Sequence, residues 1–365
     1  MINSEYLVEL AKRFCLPSAN WQAQSYGNGH INDTFVLTAE GTGKRYILQR
    51  INDYVFKKPE EVMENIQGIT TWLKDRIIEE GGDPERETLM LVPAKDGRTF
   101  IRDEQGVWRV FPFVEGTMSR DLPDSEELFE ETGRGFGCFQ RRLDGYPAET
   151  LHETIVDFHN TPVRYQQFIE AMRKNTSGRL SGIKDEIAFC EARKDECGTL
   201  LRAHEEGYIP LRVTHNDTKI NNLLLDTATK CAVCVIDLDT VMPGLAAYDF
   251  GDAIRTGAST AAEDERDLNK VSLSLPMFKA FTRGYLSEAG RTMTRDEVRM
   301  LPRGAKLMTF ENGLRFLADH LNGDVYFRVH REGQNLDRAR AQFALVRDME
   351  EKMNEMTEIA LSFIG

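Results

Sequence analysis

The stretch Val213-Thr214-His215-Asn216-Asp217-Thr218-Lys219-Ile220-Asn221-Asn222, followed by Val235-Ile236-Asp237-Leu238-Asp239, decides how the rest of the sequence is read. A lone Asp is ordinarily a solvated surface residue. An Asp with a Lys two positions on, an Asn five positions on and a strand ending in Ile-Asp downstream is instead suited to phosphoryl transfer. On a loop, Asp217 can orient an acceptor hydroxyl and take its proton, while Lys219 neutralises the phosphoryl group in transit. Asn222 offers a carbonyl oxygen to magnesium, and Asp237 adds the carboxylate that a hard cation prefers. Two protein oxygens and the nucleotide phosphates suffice for magnesium, which keeps several of its waters.

Toward the amino end, Tyr26-Gly27-Asn28-Gly29-His30-Ile31-Asn32-Asp33-Thr34 precedes a strand. Alternating glycines in a hairpin turn let backbone N–H groups approach phosphate oxygens. Alone, such a turn is an ordinary connection between strands; the Asp217 stretch is what gives Gly27, Gly29, His30 and Asn32 a nucleotide-binding reading. His30 reads equally as a solvent-facing turn residue or as a group reaching the phosphates or the acceptor.

Further strands are expected at 35–39, 45–51, 89–92, 99–102 and 108–113, with a turn over Asp103-Glu104-Gln105-Gly106, after a short amphipathic helix near 4–14. One long helix starts at Pro59, with Glu60 and Glu61 in its first turn and Val62, Ile66, Ile69 and Leu73 as its apolar stripe. The result is a small, mostly antiparallel sheet carrying one helix. Beyond Gly116 the pattern changes to long amphipathic segments at 125–143, 162–175, 183–206, 268–287 and 340–362, with only a short strand pair near 212–237. The junction is Phe111-Pro112-Phe113-Val114-Glu115-Gly116-Thr117, giving a nucleotide-binding lobe over 1–112 and a helical lobe over 113–365 that carries the catalytic loop and acceptor site.

Composition narrows the partners. With 46 Lys+Arg against 59 Asp+Glu, the 365-residue chain carries a formal charge of -13, which repels a nucleic-acid backbone and sets nucleic acid aside as the main partner. The start, MINSEYLVELAKRF, mixes charge into its apolar residues unlike a secretory signal, and no apolar run approaches the roughly 18 residues of a membrane span. A cytoplasmic protein with no membrane partner is expected, and its 6 cysteines are expected to be reduced. Cys231 and Cys234 form a C-x-x-C, but on a strand residues three apart point to opposite faces, so both read as buried strand cysteines rather than half a zinc site.

The two-lobe layout, the glycine hairpin, FPFVEG (111–116), HNDTKINN (215–222) and VIDLD (235–239) resemble the aminoglycoside phosphotransferase and choline kinase branch of the protein-kinase-like fold. More narrowly, GNGHINDT (27–34), YILQRIN (46–52), VTHNDTKINN (213–222), VIDLDTVMPG (235–244), YDFGDAIR (248–255) and RFLADHLNGDVYFR (315–328) resemble the N-acetylhexosamine 1-kinase family. The resemblance implies an α+β fold of two lobes, an antiparallel-sheet N-lobe with one long helix and a larger, mainly helical C-lobe. It implies ATP and magnesium, and phosphorylation of the anomeric hydroxyl of N-acetylglucosamine or N-acetylgalactosamine. It makes Asp217 the base, Asn222 and Asp237 the magnesium ligands, and 111–115, with Pro112, Phe113 and Val114, the hinge whose backbone meets adenine.

One departure matters. The kinase fold carries a Lys in its third strand, and this sequence has Gln49-Arg50 there. Strand residues alternate, so only one can face the nucleotide, and Arg50 is favoured because it supplies charge. Its helix partner would be Glu60, Glu61 or Glu64.

For the acceptor, Arg315 and Tyr326 are the favoured substrate contacts by resemblance, with Arg255 and Asp319 beside them. Arg315 and Asp319, four apart on a helix, are alternatively a simple ion pair. Asp249 reads either as a solvated helix-start residue or as support for the catalytic loop. Thr256 stands where related sequences carry a bulkier aromatic, which bears on the sugar preferred. Two other readings stay open: a same-fold kinase for choline, homoserine, methylthioribose or an aminoglycoside, and a nucleotide-binding pseudokinase. Arginines beside the acceptor argue against a cation, and the presence of Asp217, Asn222 and Asp237 argues against a pseudokinase.

Overall fold

In the computed structural model, which describes residues 2–27 and 31–364, the chain begins with α1 (Ser4–Ala11), β1 (Trp21–Ser25), β2 (Asp33–Ala39), β3 (Arg45–Ile51), α2 (Pro59–Glu79), α3 (Pro84–Glu87), β4 (Ile101–Asp103), β5 (Gly106–Pro112) and β6 (Thr117–Met118). Then come α4 (Glu126–Arg142), α5 (Thr161–Lys174), α6 (Lys184–Glu191), α7 (Thr199–Glu205) and the strands β7 (Arg212–Thr214), β8 (Leu223–Asp226), β9 (Ala232–Val235) and β10 (Met242–Gly244). Four helices complete it: α8 (Ala246–Gly257), α9 (Leu275–Ala289), α10 (Arg295–Asn322) and α11 (Gln334–Leu361). Among the described residues no helix is long and apolar enough to cross a membrane.

The chain folds as two compact units. The first comprises 1–118, 145–156 and 224–242; the second comprises 119–144, 157–223 and 243–365. The boundary expected after 112 thus falls inside the first unit, which regains two later segments.

In the first unit an antiparallel sheet has the order β1-β2-β3-β5-β4, and β6, β8 and β9 make a smaller sheet. The register sets Gln49 opposite Arg109, and Arg50 opposite Trp108. Because side chains alternate, Leu48, Arg50, Trp108 and Val110 share one face, and Gln49 and Arg109 share the other. Leu48, Trp108 and Val110 pack with Leu7 and Leu10 of α1 in one apolar core. Pro at the first position opens α2, whose expected stripe Val62, Ile66, Ile69 and Leu73 is buried. Residues 89–92 form no strand; Pro93 follows directly and cannot donate to a ladder, and only Val92 N–H reaches Val110 across the sheet, at 2.9 Å. Of the two cysteines of the C-x-x-C, Cys234 is buried in β9, while Cys231 precedes the strand and is exposed, so only one is a core residue.

In the second unit, Ser125 caps α4, and a Thr294/Glu297 capping box opens α10, which closes at Gly323 with φ 96°. Helices α4 and α9 approach until their backbones touch: a Cβ at Gly284 would collide with the Glu130 carbonyl, and one at Gly133 with that of Phe281. Phe250 of α8 fills the space beside Phe278, Phe281 and Tyr285. The helix expected over 183–206 is broken into α6 and α7 around Gly198, the residue that caps α7.

Candidate active site

The loop after β7 is fixed by buried polar groups of the second unit. Asn216 adopts a left-handed conformation, φ 64°, and the Asp249 carboxylate accepts the N–H groups of His215 at 2.8 Å and Asn216 at 2.7 Å. Asp249 is therefore loop support, not a solvated cap; burial pushes its carboxyl up, against the opposing pull of His215 and the two N–H groups. The Thr218 hydroxyl donates to the Asp249 carbonyl. His159 lies with Nε2 3.1 Å from the Asn216 carbonyl and Nδ1 2.8 Å from the Glu311 carboxylate, which also accepts the Thr161 hydroxyl at 2.6 Å. Burial favours neutral His159, but the Glu311 charge outweighs it and the net direction is up. Burial likewise pushes Glu311 up, and the His159 and Thr161 contacts carry it net below the usual carboxylate range.

On this frame Asp217 meets both of its sequence-predicted companions. Lys219 Nζ lies 2.6 Å from Asp217 Oδ1, and Asn222 Nδ2 donates to the Asp217 carbonyl at 2.8 Å and to its carboxylate at 3.1 Å. Burial raises the Asp217 carboxyl, and Lys219, His215 and Asn222 together reverse that, so the net direction is down. Its carboxylate stays 26% exposed, open to a reacting hydroxyl. The Asn222 nitrogen is committed to Asp217, which leaves the carboxamide oxygen as the atom a hard cation would take.

The first unit carries the nucleotide candidates. Gly27 is left-handed at φ 73°, and Tyr26 N–H donates to the Thr34 carbonyl at 2.9 Å, closing the base of the hairpin. Gly29 and His30 lie outside the described residues. Asn32 does not point at open solvent: its Nδ2 donates to Asp239 at 2.6 Å and its Oδ1 accepts Asn52 N–H at 3.0 Å. In the hinge, Phe113 N–H donates to the Arg45 carbonyl at 3.2 Å, continuing the ladder beyond Pro112, while Tyr26 packs edge-on against the Phe113 ring at 5.6 Å. Val114 is buried and its carbonyl accepts the Thr117 hydroxyl at 2.7 Å.

Arg50 occupies the sheet face that bears α1. Its guanidinium is held by Asp33 at 2.8 Å and the Gln105 carbonyl at 3.2 Å, beside Trp108. None of its expected partners meets it: Glu60 pairs with Arg102, Glu61 with Lys58 and Glu64 with His152. The opposite face carries Gln49, which accepts Arg109 Nε at 3.1 Å and Nη2 at 2.9 Å, and Arg109 Nη1 pairs with Asp239. Asp237, two residues before, is exposed and left-handed at φ 61°, ψ 57°.

The profile of the phosphotransferase enzyme family matches residues 22–277. The chain belongs to that family. The fold agrees: a choline kinase from Cryptosporidium parvum Iowa II superposes with a TM-score of 0.60 at 15% identity, covering 97% of this chain and 97% of that one. An aminoglycoside phosphotransferase from Alicyclobacillus acidocaldarius gives 0.60 at 13%, over 99% and 96%. Spectinomycin phosphotransferase in complex with ADP and spectinomycin gives 0.54 at 13%, over 99% and 98%. At such identities the likeness is one of fold, a protein-kinase-like α+β fold with an antiparallel-sheet N-lobe and a helical C-lobe.

The expected acceptor residues of this phosphotransferase divide. Asp319 is buried and pairs neither with Arg315 nor with solvent. It accepts the N–H groups of Val325, Tyr326 and Phe327 at 2.9 to 3.0 Å, and thereby sets the turn that presents Tyr326, which is 64% exposed. Arg255 is also buried, bound to Asp252 at 3.0 Å and Glu263 at 2.8 Å. Thr256 turns its hydroxyl back to the Asp252 and Ala253 carbonyls at 3.1 and 3.2 Å. Arg315 makes no ion pair among the described residues: its Nη1 donates to Asn312 Oδ1 at 3.5 Å, and the rings of Phe158, Tyr326 and Phe327 lie 5.6, 5.9 and 5.4 Å away. The sequence reading missed Arg109, His159 and Glu311. Arg109 had one signal, an Arg inside the apolar strand Val107–Phe111; a single His and a mid-helix Glu had none.

Proposed function

We propose that this phosphotransferase is a kinase that moves the γ-phosphoryl group of ATP to the anomeric hydroxyl of an N-acetylhexosamine, with magnesium. The observation that carries the choice of acceptor is Arg315, held only by a long bond to Asn312 and no carboxylate among the described residues, beside three aromatic rings. A planar fork of donors beside ring faces suits the hydroxyls, acetamide carbonyl and apolar face of a neutral sugar. It would repel a cationic acceptor, and a second guanidinium, Arg164, lies near enough to feel the Arg315 charge and adds to that repulsion.

Asp217 takes the proton of the C1 hydroxyl as that oxygen bonds to the γ-phosphorus, and the bond to the β-phosphate bridging oxygen breaks, its electron pair leaving with ADP. A hemiacetal hydroxyl is more acidic than an ordinary alcohol, so a carboxylate of modest basicity serves. The transition state is loose, and catalysis is chiefly positioning and charge neutralisation, to which Lys219 contributes. Asn222 and Asp237 would hold magnesium; the donor chemistry fits, one carboxamide oxygen and one exposed carboxylate. Magnesium, when bound, neutralises the β- and γ-phosphate oxygens. Gly27, Gly29, His30 and Asn32 belong to the phosphate end, and Pro112, Phe113 and Val114 to the adenine end.

A cationic acceptor, as in the choline kinase and aminoglycoside phosphotransferases, has one observation in its favour: Asp252 Oδ2 is buried without a hydrogen-bond partner. A phosphoryl-transfer assay separates the two readings, using N-acetylglucosamine, N-acetylgalactosamine, their 1-O-methyl glycosides, choline and kanamycin. Turnover of the free N-acetylated sugars but not of the 1-O-methyl forms is expected; turnover of choline or kanamycin alone would replace the sugar with a cation.

A further inference from the structure

On the face it shares with Arg109, the third strand brings a charge only at its first residue, Arg45, which pairs with Glu115, so the buried charge beside Gln49 comes from the neighbouring strand. Arg109 on β5 is 1% exposed, and its guanidinium is gripped by Gln49 on one side and Asp239 on the other. Gln49 is in turn fixed by Thr34, whose hydroxyl accepts its Nε2 at 3.0 Å. A buried guanidinium is costly unless its donors are matched, so the arrangement has a single favoured geometry. Asp239 uses both oxygens: Oδ1 takes Arg109 and Oδ2 takes Asn32 at the foot of the glycine hairpin. Its carbonyl accepts the Thr154 hydroxyl at 3.1 Å, and the next carbonyl but one, of Val241, accepts Asn65 Nδ2 at 3.0 Å. The 3-10 turn that starts at left-handed Asp237 and the residue that follows it are thus tied to four separate pieces of the first unit: β5, the hairpin foot, the segment around Thr154 and α2.

We infer that Arg109 is the positioning residue for Asp237, acting through Asp239, and that Asp239 couples the glycine hairpin to the magnesium-binding turn through Asn32. The inference rests on the kinase reading above. The cation that other members of the fold carry on the third strand is moved one strand over, and it serves the metal turn instead of lying open to the nucleotide. Phosphate and magnesium binding are coupled, because one carboxylate, that of Asp239, holds both Asn32 and the turn that carries Asp237.

Calorimetry with ADP, on the full chain, with and without magnesium, tests this. Wild-type protein is expected to bind ADP more tightly with magnesium. Asn32→Ala and Arg109→Lys are each expected to cut that magnesium-dependent gain by about tenfold, as loss of a ligand-orienting partner does, and Arg109→Lys is expected to change metal-free ADP affinity less. Asp237→Asn should remove the gain, and adding Asn32→Ala to it should cost nothing further in the gain, since both act on one path. A purely structural role would lower the thermal midpoint of the variants and leave the gain at its wild-type size, and that result overturns the inference. If Arg109→Lys does not fold, Asn32→Ala decides, because it leaves the Arg109–Asp239 pair in place. Absence of ADP binding by the wild type would remove the kinase reading and this inference together; magnesium-enhanced binding with unaltered variants would remove this inference alone.

Discussion

A base must be ionised before it can take a proton, and in Asp217, the base of the proposed reaction, burial works against that form while Lys219, at 2.6 Å, works for it. The net direction is down, so Asp217 keeps its charge to a pH below the usual carboxylate range. Asp217→Asn keeps the shape and the Asn222 contact but cannot accept the proton. Turnover should fall by about a hundredfold to ten-thousandfold with ADP affinity retained, read by steady-state kinetics beside calorimetry. Lys219→Met removes the group that holds the carboxyl down, so the acid limb of kcat/KM should move to higher pH; an unmoved limb would separate Lys219 from the base. Asp217, Lys219 and Asn222 were legible because their chemistry fixes residue types at fixed spacing on one loop. The choice between Arg50 and Gln49 rested on a one-residue register, and a slip of one residue reverses the face; the structure sets Arg50 on the side that bears α1 and Gln49 on the other. The buried cation beside Gln49 is Arg109, and cross-strand partners leave no spacing in the sequence.

Elements with one buried face were readable and those with several were not. The stripe of α2 appears at its expected place, and α4 fills the amphipathic segment expected over 125–143. Helix α10, the 28 residues Arg295–Asn322, was seen only at its end: buried residues run round it, Pro302 interrupts its interior, and no single stripe survives. Its Glu311 and Asp319 nonetheless brace the catalytic loop and the Tyr326 turn. The α4–α9 contact depends on a missing side chain. At Gly284 an added Cβ meets the Glu130 carbonyl, backbone against backbone, which no rotamer change relieves. Gly284→Ala would gain about 1 kcal/mol of helix propensity and lose about 1 to 3 kcal/mol or more to overpacking. The net is a lower denaturant midpoint; a midpoint at or above wild type would mean that the helices separate freely.

At the scale of the whole molecule, the sequence showed a sheet followed by helices but not which later segments return to the sheet. The run 224–242 packs with the first unit although it follows the catalytic loop, and Asp239, Arg109 and Asn32 meet there from positions far apart in sequence. The same holds for a buried His-carboxylate pair that braces Asn216, His159 with Glu311, and this pair gives the molecule a pH signature. Glu311 is held down, so its contribution is present above its unfolded value and is lost as pH falls through the folded one. His159 is held up, so its contribution is complete below its unfolded value and is lost as pH rises through the folded one. Between those limits both are charged and the pair is at full strength. Removing one partner of a buried pair costs about 3 to 5 kcal/mol, less here because His159 can shed its proton and stay neutral. Glu311→Gln should therefore lower the thermal midpoint most at mildly acidic pH, between the ordinary carboxylate and imidazole values, with the difference from wild type shrinking as pH falls below that window or rises above it. Midpoints recorded across that range check it, and a difference constant with pH would show that the pair is neutral and that its hydrogen bonds alone hold the loop.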